Sequence, residues 1–299
     1  MQHAEMMAKI QDGKGFIAAL DQSGGSTPKA LKGYGIEEGG WSGDEEMFGL
    51  IHQMRSRIIT SPAFNGDKVI GAILFERTMD GDIDGKPVPD VLKERHVVPF
   101  IKIDKGLEEE ANGVQLMKPM PELDALLSRA KGLGVFGTKE RSVINLANRD
   151  GIAAIVRQQF EVAAQVLAAG LVPMIEPEIN IKSLERAQAD RILLEELLAA
   201  LDAMPGEERV MLKLSIPTQP GLFQPLVDHP RVLRVVALSG GFARPEACRE
   251  LVRNPGMIAS FSRALLEDLR HGMSAEEFDA ALGGAIDDIY QASTVKTAA

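Results

Sequence analysis

At 299 residues the chain is long enough for one large α/β domain or two small ones, and 45% hydrophobic with 25% charged residues is ordinary for a soluble globular protein. A net charge of −10 argues against nucleic acid and anionic membranes as partners. The single cysteine, Cys248, excludes an internal disulfide and fits a reducing cytoplasm, where the chain is expected to reside.

The N-terminal segment Met1 to Lys9 has no apolar core, so no signal peptide is expected. Gly15-Phe-Ile-Ala-Ala-Leu20 reads as a first strand running into the glycine-rich turn Asp21-Gln-Ser-Gly-Gly-Ser26. A helix follows: Ser42 and Glu45 have capping-box spacing, and Met47, Leu50, Ile51, Met54 and Ile58 fall on one face. Val69 to Phe75 is the second strand, Asp80 to Asp90 a polar loop, and Val97 to Ile103 the third strand, ending in Asp104-Lys-Gly. A helix over Leu123 to Lys131 leads to a weaker, glycine-rich fourth strand, Leu133 to Thr138, ending at Lys139-Glu-Arg141.

The second half alternates more clearly. Ile152, Ile155, Val156, Phe160, Ala163, Val166 and Leu167 form a helical stripe closed by Gly170. Leu171 to Ile175 is the fifth strand and ends in Glu176-Pro-Glu178; a long helix covers Leu184 to Leu201. Val162 to Ile175 is the longest uncharged apolar run, and at that length, broken by Gly170 and Pro173, it does not span a bilayer. Val210 to Ile216 is the sixth strand and Val232 to Leu238 the seventh, ending in Ser239-Gly-Gly241. A helix near Pro245 to Arg253, an eighth strand at Met257 to Ser260 ending at Arg263, and a last helix capped by Ser274 and Glu277 complete the chain. Eight strands alternating with helices, without a linker, predict a single-domain α/β fold of the (β/α)8 TIM-barrel type over residues 1–299. A doubly wound open sheet is the competitor, but no GxGxxG loop occurs.

Lys213 sits at the centre of the apolar run Val210-Met-Leu-Lys-Leu-Ser-Ile216. A buried ammonium is costly unless it is paired or gives up its proton, and a neutral amine can attack a carbonyl to form a Schiff base. The bland reading is a lysine that snorkels to the strand end or pairs with a carboxylate. In a barrel the active site lies at the C-terminal strand ends, and reactive side chains gather there: Asp21, Lys102, Asp104, Lys139, Arg141, Glu176, Glu178, Lys213, Ser239 and Arg263. Residues two apart share a face, which aims Lys102 with Asp104, Lys139 with Arg141, and Glu176 with Glu178 into the mouth. Neighbouring lysines are expected to depress one another's pKa, and carboxylates among them to act as general acid and base. Ser239-Gly-Gly241 with Arg263 offers an anion site, and Ser23, Ser26 and Lys102 a second one opposite. Two anion sites flanking a Schiff-base lysine suggest a bisphosphorylated carbonyl substrate. The five histidines show no ligand spacing, so neither metal nor cofactor is expected.

These residues lie in stretches that resemble class I (Schiff-base) fructose-bisphosphate aldolases of the short bacterial type. The matching segments are Ala18-Ala-Leu-Asp-Gln-Ser-Gly-Gly-Ser26, Phe100-Ile-Lys-Ile-Asp-Lys-Gly106, Phe136-Gly-Thr-Lys-Glu-Arg141, Gly170 to Glu178, Met211-Leu-Lys213, Leu238-Ser-Gly-Gly241 and Ser260-Phe-Ser-Arg-Ala-Leu265. The resemblance implies that Lys213 forms the imine at C2 of the ketose and that Glu176 is the acid/base of dehydration. It implies further that Glu178 and Lys139 shape the protonation of Glu176, and that Asp21 takes the C4 hydroxyl proton. Ser239, Gly240 and Arg263 would hold the C1 phosphate, Ser23, Ser26 and Lys102 the C6 phosphate, and Arg141 substrate oxygens. Animal members end in a tail whose terminal tyrosine assists proton exchange. This sequence ends Thr294-Val-Lys-Thr-Ala-Ala299, and its last tyrosine, Tyr290, falls in the final helix pattern. An aldolase for another sugar phosphate and a silent sugar-phosphate-binding barrel remain alternatives, and association into a homo-oligomer stays open.

Overall fold

A computed structural model describes residues 1–297; the last two residues of the C-terminal stretch, and with them part of the expectation about the tail, lie outside the described residues. Eight parallel strands lie side by side in chain order: β1 (Phe16–Leu20), β2 (Val69–Leu74), β3 (Val98–Lys102), β4 (Gly137–Ile144), β5 (Val172–Ile179), β6 (Val210–Ser215), β7 (Val232–Leu238) and β8 (Ile258–Ala259). The Ala19 N–H donates to the Phe261 carbonyl, 3.1 Å away, and so joins the first strand to the segment just after the last. Helices fill the connections, and the fold is a (β/α)8 barrel. Among the described residues no helix is long and apolar enough to cross a membrane.

The interior changes character along the strands. Its lower half is apolar, built from Ile17, Ala19, Ile73, Val98, Phe100, Met174, Met211 and Val236. The helix His3–Asp12, for which the sequence carried little signal, closes this end with Met6 and Ile10. Moving up by two residues, the side-chain period of a strand, replaces four of these by a charged group. Ala19 is followed by Asp21, Phe100 by Lys102, Met174 by Glu176, and Met211 by Lys213. The apolar floor fixes the strand register, and the register fixes where the charges meet.

The sequence boundaries shift where charge enters a strand. The fourth strand is not Leu133 to Thr138. Leu133 caps the helix Leu123–Gly132, Gly134 turns the chain at φ +72°, and β4 runs Gly137–Ile144 with Lys139 and Arg141 inside it. Likewise Glu176-Pro-Glu178 lies within β5, in register with Arg141-Ser-Val143 of β4. The polar loop of Asp80 to Asp90 contains a short antiparallel pairing, Asp82–Ile83 with Lys86–Pro87, and the start of the helix Val88–Glu94. The expected capping box at Ser42 and Glu45 is absent. Gly43 takes φ +83° at the start of the helix Gly43–Thr60, and Glu46 instead accepts from the Ser42 N–H at 2.6 Å. The box at Ser274 is present: its Oγ accepts from the Glu277 N–H (3.1 Å), while the Glu277 carboxylate accepts from the Ser274 N–H (2.9 Å).

Candidate active site

A cavity of about 860 Å³ opens at the C-terminal ends of the strands. All twelve residues singled out as catalytic or phosphate-binding line it: Asp21, Ser23, Ser26, Lys102, Lys139, Arg141, Glu176, Glu178, Lys213, Ser239, Gly240 and Arg263. The deepest of them form a chain of opposite charges. Lys213 Nζ lies 3.0 Å from Glu176 Oε1, Lys139 Nζ 2.9 Å from Glu176 Oε2, and Lys139 Nζ 2.7 Å from Asp21 Oδ2. Lys213, Glu176 and Lys139 are each exposed by 4% or less, so solvent screening is weak and every charge needs its partner. Two further pairs flank the chain: Lys102 with Asp104 at 2.7 Å, and Arg141 with Glu178 at 2.5 Å.

This pairing changes the expected electrostatics. Lys139 is not depressed by its lysine neighbours. Burial opposes its charge, but Asp21, Glu176 and Asp104 outweigh burial and hold its pKa far above the ordinary 10.5. Burial likewise works against the Asp21 carboxylate, yet Lys139, Lys213 and Lys102 hold it well below the usual range. Glu176 is also lowered: Lys139 and Lys213 together overcome burial and the nearby Asp21 charge. The cluster therefore rests as ionised carboxylates cross-linked by Lys139, two bases poised on either side of one ammonium.

Two sets of anion-binding elements line the cavity. After β7, Gly240 takes φ +60° and Gly241 φ +113°, a left-handed run open to glycine, and a Cβ at Gly240 would sit 2.5 Å from Ile181. Successive N–H groups in such a turn make a concavity suited to an anion. Arg263 begins a short helix, Arg263–Leu266, and its guanidinium lies close to Gly241, 3.1 Å from where a Cβ would be. In the turn after β1 the Ser26 Oγ accepts from the Ser23 N–H and donates to the Ser23 carbonyl, both at 2.8 Å, which shapes the turn before the helix Ser26–Gly33. That short helix was missed in the sequence because Thr27 and Leu31 are its only buried positions. Lys102 is held by the Asp104 carboxylate and carbonyl (2.7 and 2.9 Å). Tyr290 packs on the core within the helix Ala275–Thr294 and does not line the cavity.

Sequence reasoning passed over Gln22, Ser262 and Arg55. Gln22 and Ser262 line the same cavity, and Arg55 lies fully buried behind Gln22. Nothing in the local pattern marks them, since Arg55 occupies an apolar face of its helix where periodicity predicts core.

The family model of class-I fructose-bisphosphate aldolases, the glycolytic type, matches residues 2–219. The matched stretch contains Asp21, Lys102, Lys139, Arg141, Glu176, Glu178 and Lys213 and stops before Ser239 and Arg263. Among solved structures, fructose-bisphosphate aldolase from Plasmodium falciparum, crystallised with TRAP and a small-molecule inhibitor, superposes with a TM-score of 0.79 at 20% identity. The match covers 99% of this chain and 96% of that one. A structural-genomics target from Corynebacterium glutamicum superposes with a TM-score of 0.53 at 14% identity, covering 97% of this chain and 92% of that one. At these identities both likenesses bear on the fold.

Proposed function

The chain belongs to the class-I fructose-bisphosphate aldolase family, and on that premise we propose that it reversibly cleaves D-fructose 1,6-bisphosphate to glycerone phosphate and D-glyceraldehyde 3-phosphate through an imine on Lys213. The reaction would serve glycolysis and gluconeogenesis in the cytoplasm, with residues 1–299 acting as one domain. The observation that carries this reading is the buried contact chain Lys213–Glu176–Lys139–Asp21 at the mouth of the barrel.

Each contact has a use. Before it attacks C2, the Lys213 amine loses a proton, and Glu176 Oε1 at 3.0 Å is the acceptor within reach. The same carboxyl then returns a proton to the carbinolamine hydroxyl, which leaves as water. The protonated imine withdraws electrons as the C3–C4 bond breaks, so no metal is needed as electron sink. Asp21 takes the C4 hydroxyl proton; Lys139 keeps it ionised and fixes its direction from 2.7 Å. Ser239, Gly240 and Arg263 hold one phosphate, Ser23, Ser26 and Lys102 the other, and Arg141, with Glu178, faces substrate oxygens between them. Phosphate binding at Lys102 requires its ammonium to be shared between Asp104 and the incoming anion.

The test is intact mass and peptide mapping after borohydride reduction with glycerone phosphate. A single adduct on Lys213, full activity in the presence of a chelator, and no turnover by Lys213→Met are the expected results. No adduct, together with activity lost to the chelator, would overturn the imine reading. Fructose 1-phosphate turned over as efficiently as the bisphosphate would point instead to an aldolase for another sugar phosphate.

A further inference from the structure

Gln22 follows Asp21, is 8% exposed, and is bonded through both its main chain and its side chain. Its carbonyl accepts from Arg55 Nη2 at 2.5 Å, and its Oε1 accepts from the same nitrogen at 3.3 Å. Its Nε2 donates to Ser262 Oγ at 2.6 Å and to the Ala19 carbonyl at 3.2 Å. The amide can sit only this way round, because Arg55 offers donors alone and Ala19 an acceptor alone.

Arg55 is fully buried, yet none of its hydrogen-bond partners is a carboxylate: Nη1 donates to Thr78 Oγ1 at 2.7 Å, and Nη2 serves Gln22. Burial pushes its pKa down to about 10, with Asp21 the anion that opposes the shift. A buried guanidinium is a rigid donor fork with little freedom to adapt. It therefore anchors the turn that carries Asp21, Ser23 and Ser26 to the helix Gly43–Thr60.

The other end of Gln22 reaches across the seam where the barrel closes. Ser262 immediately precedes Arg263, and the neighbouring Phe261 carbonyl accepts from the Ala19 N–H. One side chain thus connects the turn after β1 to the segment after β8.

We propose that Gln22, anchored by Arg55, is a positioning residue that sets the distance between the two phosphate-holding loops and so tunes the enzyme to bisphosphorylated ketoses. The proposal rests on the reading of the site given above. A ligand with a phosphate at each end needs both loops in place at once. A ligand with one phosphate needs only one. Cutting the cross-link therefore penalises the first more than the second, since the two loops then move independently and small misplacements cost rate.

The experiment compares kcat/KM for fructose 1,6-bisphosphate and fructose 1-phosphate in the wild type, Gln22→Ala and Ser262→Ala, with borohydride trapping of glycerone phosphate on each. Losing a buried hydrogen-bonded link should lower the bisphosphate-to-monophosphate ratio about tenfold in Gln22→Ala and by a smaller factor in Ser262→Ala, mostly through KM. Trapping on Lys213 should be retained in both variants. An unchanged ratio in both variants overturns the proposal. So does an equal loss on both substrates with trapping also lost, which would make Gln22 a merely structural residue. Absence of trapping in the wild type would instead overturn the imine reading and this proposal with it, a result visible before any variant is compared.

Discussion

At the scale of single residues, Lys139 is the group on which the site depends most. Among the described residues it is the only cation in contact with both Asp21 and Glu176, at 2.7 and 2.9 Å, and it is itself buried. Lys139→Met would leave two neighbouring carboxylates in a weakly solvated site, and Lys213 beside one of them. Breaking a buried ion pair from one side costs about 3–5 kcal/mol. Both acids would then regain protons at higher pH, so that the carboxylates needed as bases would be partly neutral. The expected outcome is an unfolding free energy, measured by urea denaturation, lowered by that amount and a turnover reduced by at least about a hundredfold. The acidic limb of the kcat–pH profile should also move to higher pH. A variant with normal stability and only a KM change would show that Lys139 acts by binding substrate alone. Glu176→Gln separates the other function: it should slow imine formation and dehydration in single-turnover experiments far more than it weakens binding.

At the scale of elements, caps and strand ends decide how much can be read in advance. The helix Ala275–Thr294 packs Phe278, Leu282, Ile286 and Ile289 against the barrel, and its first turn is closed by the reciprocal Ser274–Glu277 bonds. Ser274→Ala should cost about 1 kcal/mol of stability, measured by urea denaturation, with kcat unchanged. That cap was legible because serine, glutamate and the apolar stripe follow one another in sequence. Ser42 is the N-cap as expected, but the box is not formed: Glu46 rather than Glu45 accepts from its N–H, with Gly43 at a positive φ in the first turn. Strands were legible while they stayed apolar. β4 was misplaced because its inward residues are Gly137, Lys139 and Arg141, the reverse of the apolar signal by which a buried strand is found. The same charge that hid the end of the strand marked the site, so the candidate residues were found more easily than the element that carries them. Gln22, Ser262 and Arg55 escaped notice because hydrogen bonds between residues 33 and 240 positions apart leave no local pattern.

At the scale of the whole molecule, the paired charges of the cavity balance, and the buried acid Glu140 stands outside those pairs. Lys102, Lys139, Arg141 and Lys213 face Asp21, Asp104, Glu176 and Glu178, four cations against four carboxylates. Glu140 is a further acid, fully buried, with both carboxyl oxygens lacking a hydrogen-bond partner among the described residues. Burial and then the Asp104 charge push its pKa well above the ordinary 4.5. Both effects favour the neutral form of the acid in the folded protein. In the unfolded chain it ionises near its ordinary value. A folded pKa above the unfolded one gives a contribution that is complete below pH 4.5 and is lost progressively as pH rises toward the folded value. Each unit of that shift costs about 1.4 kcal/mol once the pH has passed both values. Glu140→Gln keeps the shape and cannot ionise, so it abolishes this loss. The variant should therefore gain stability relative to the wild type as pH rises above about 4.5 toward neutral, while near pH 4 the advantage vanishes or turns into a small deficit from the exchanged amide. Thermal midpoints of both proteins across that range test the sign. A difference that stays constant with pH would mean that Glu140 is ionised in the folded protein and has a partner for its charge. Lys139 follows the same sign at the other end of the scale. Its raised pKa contributes stability below 10.5 that is lost only as pH climbs beyond that value. Removing Glu140 should therefore extend the stable range from neutral pH up to the region where Lys139 begins to lose its proton.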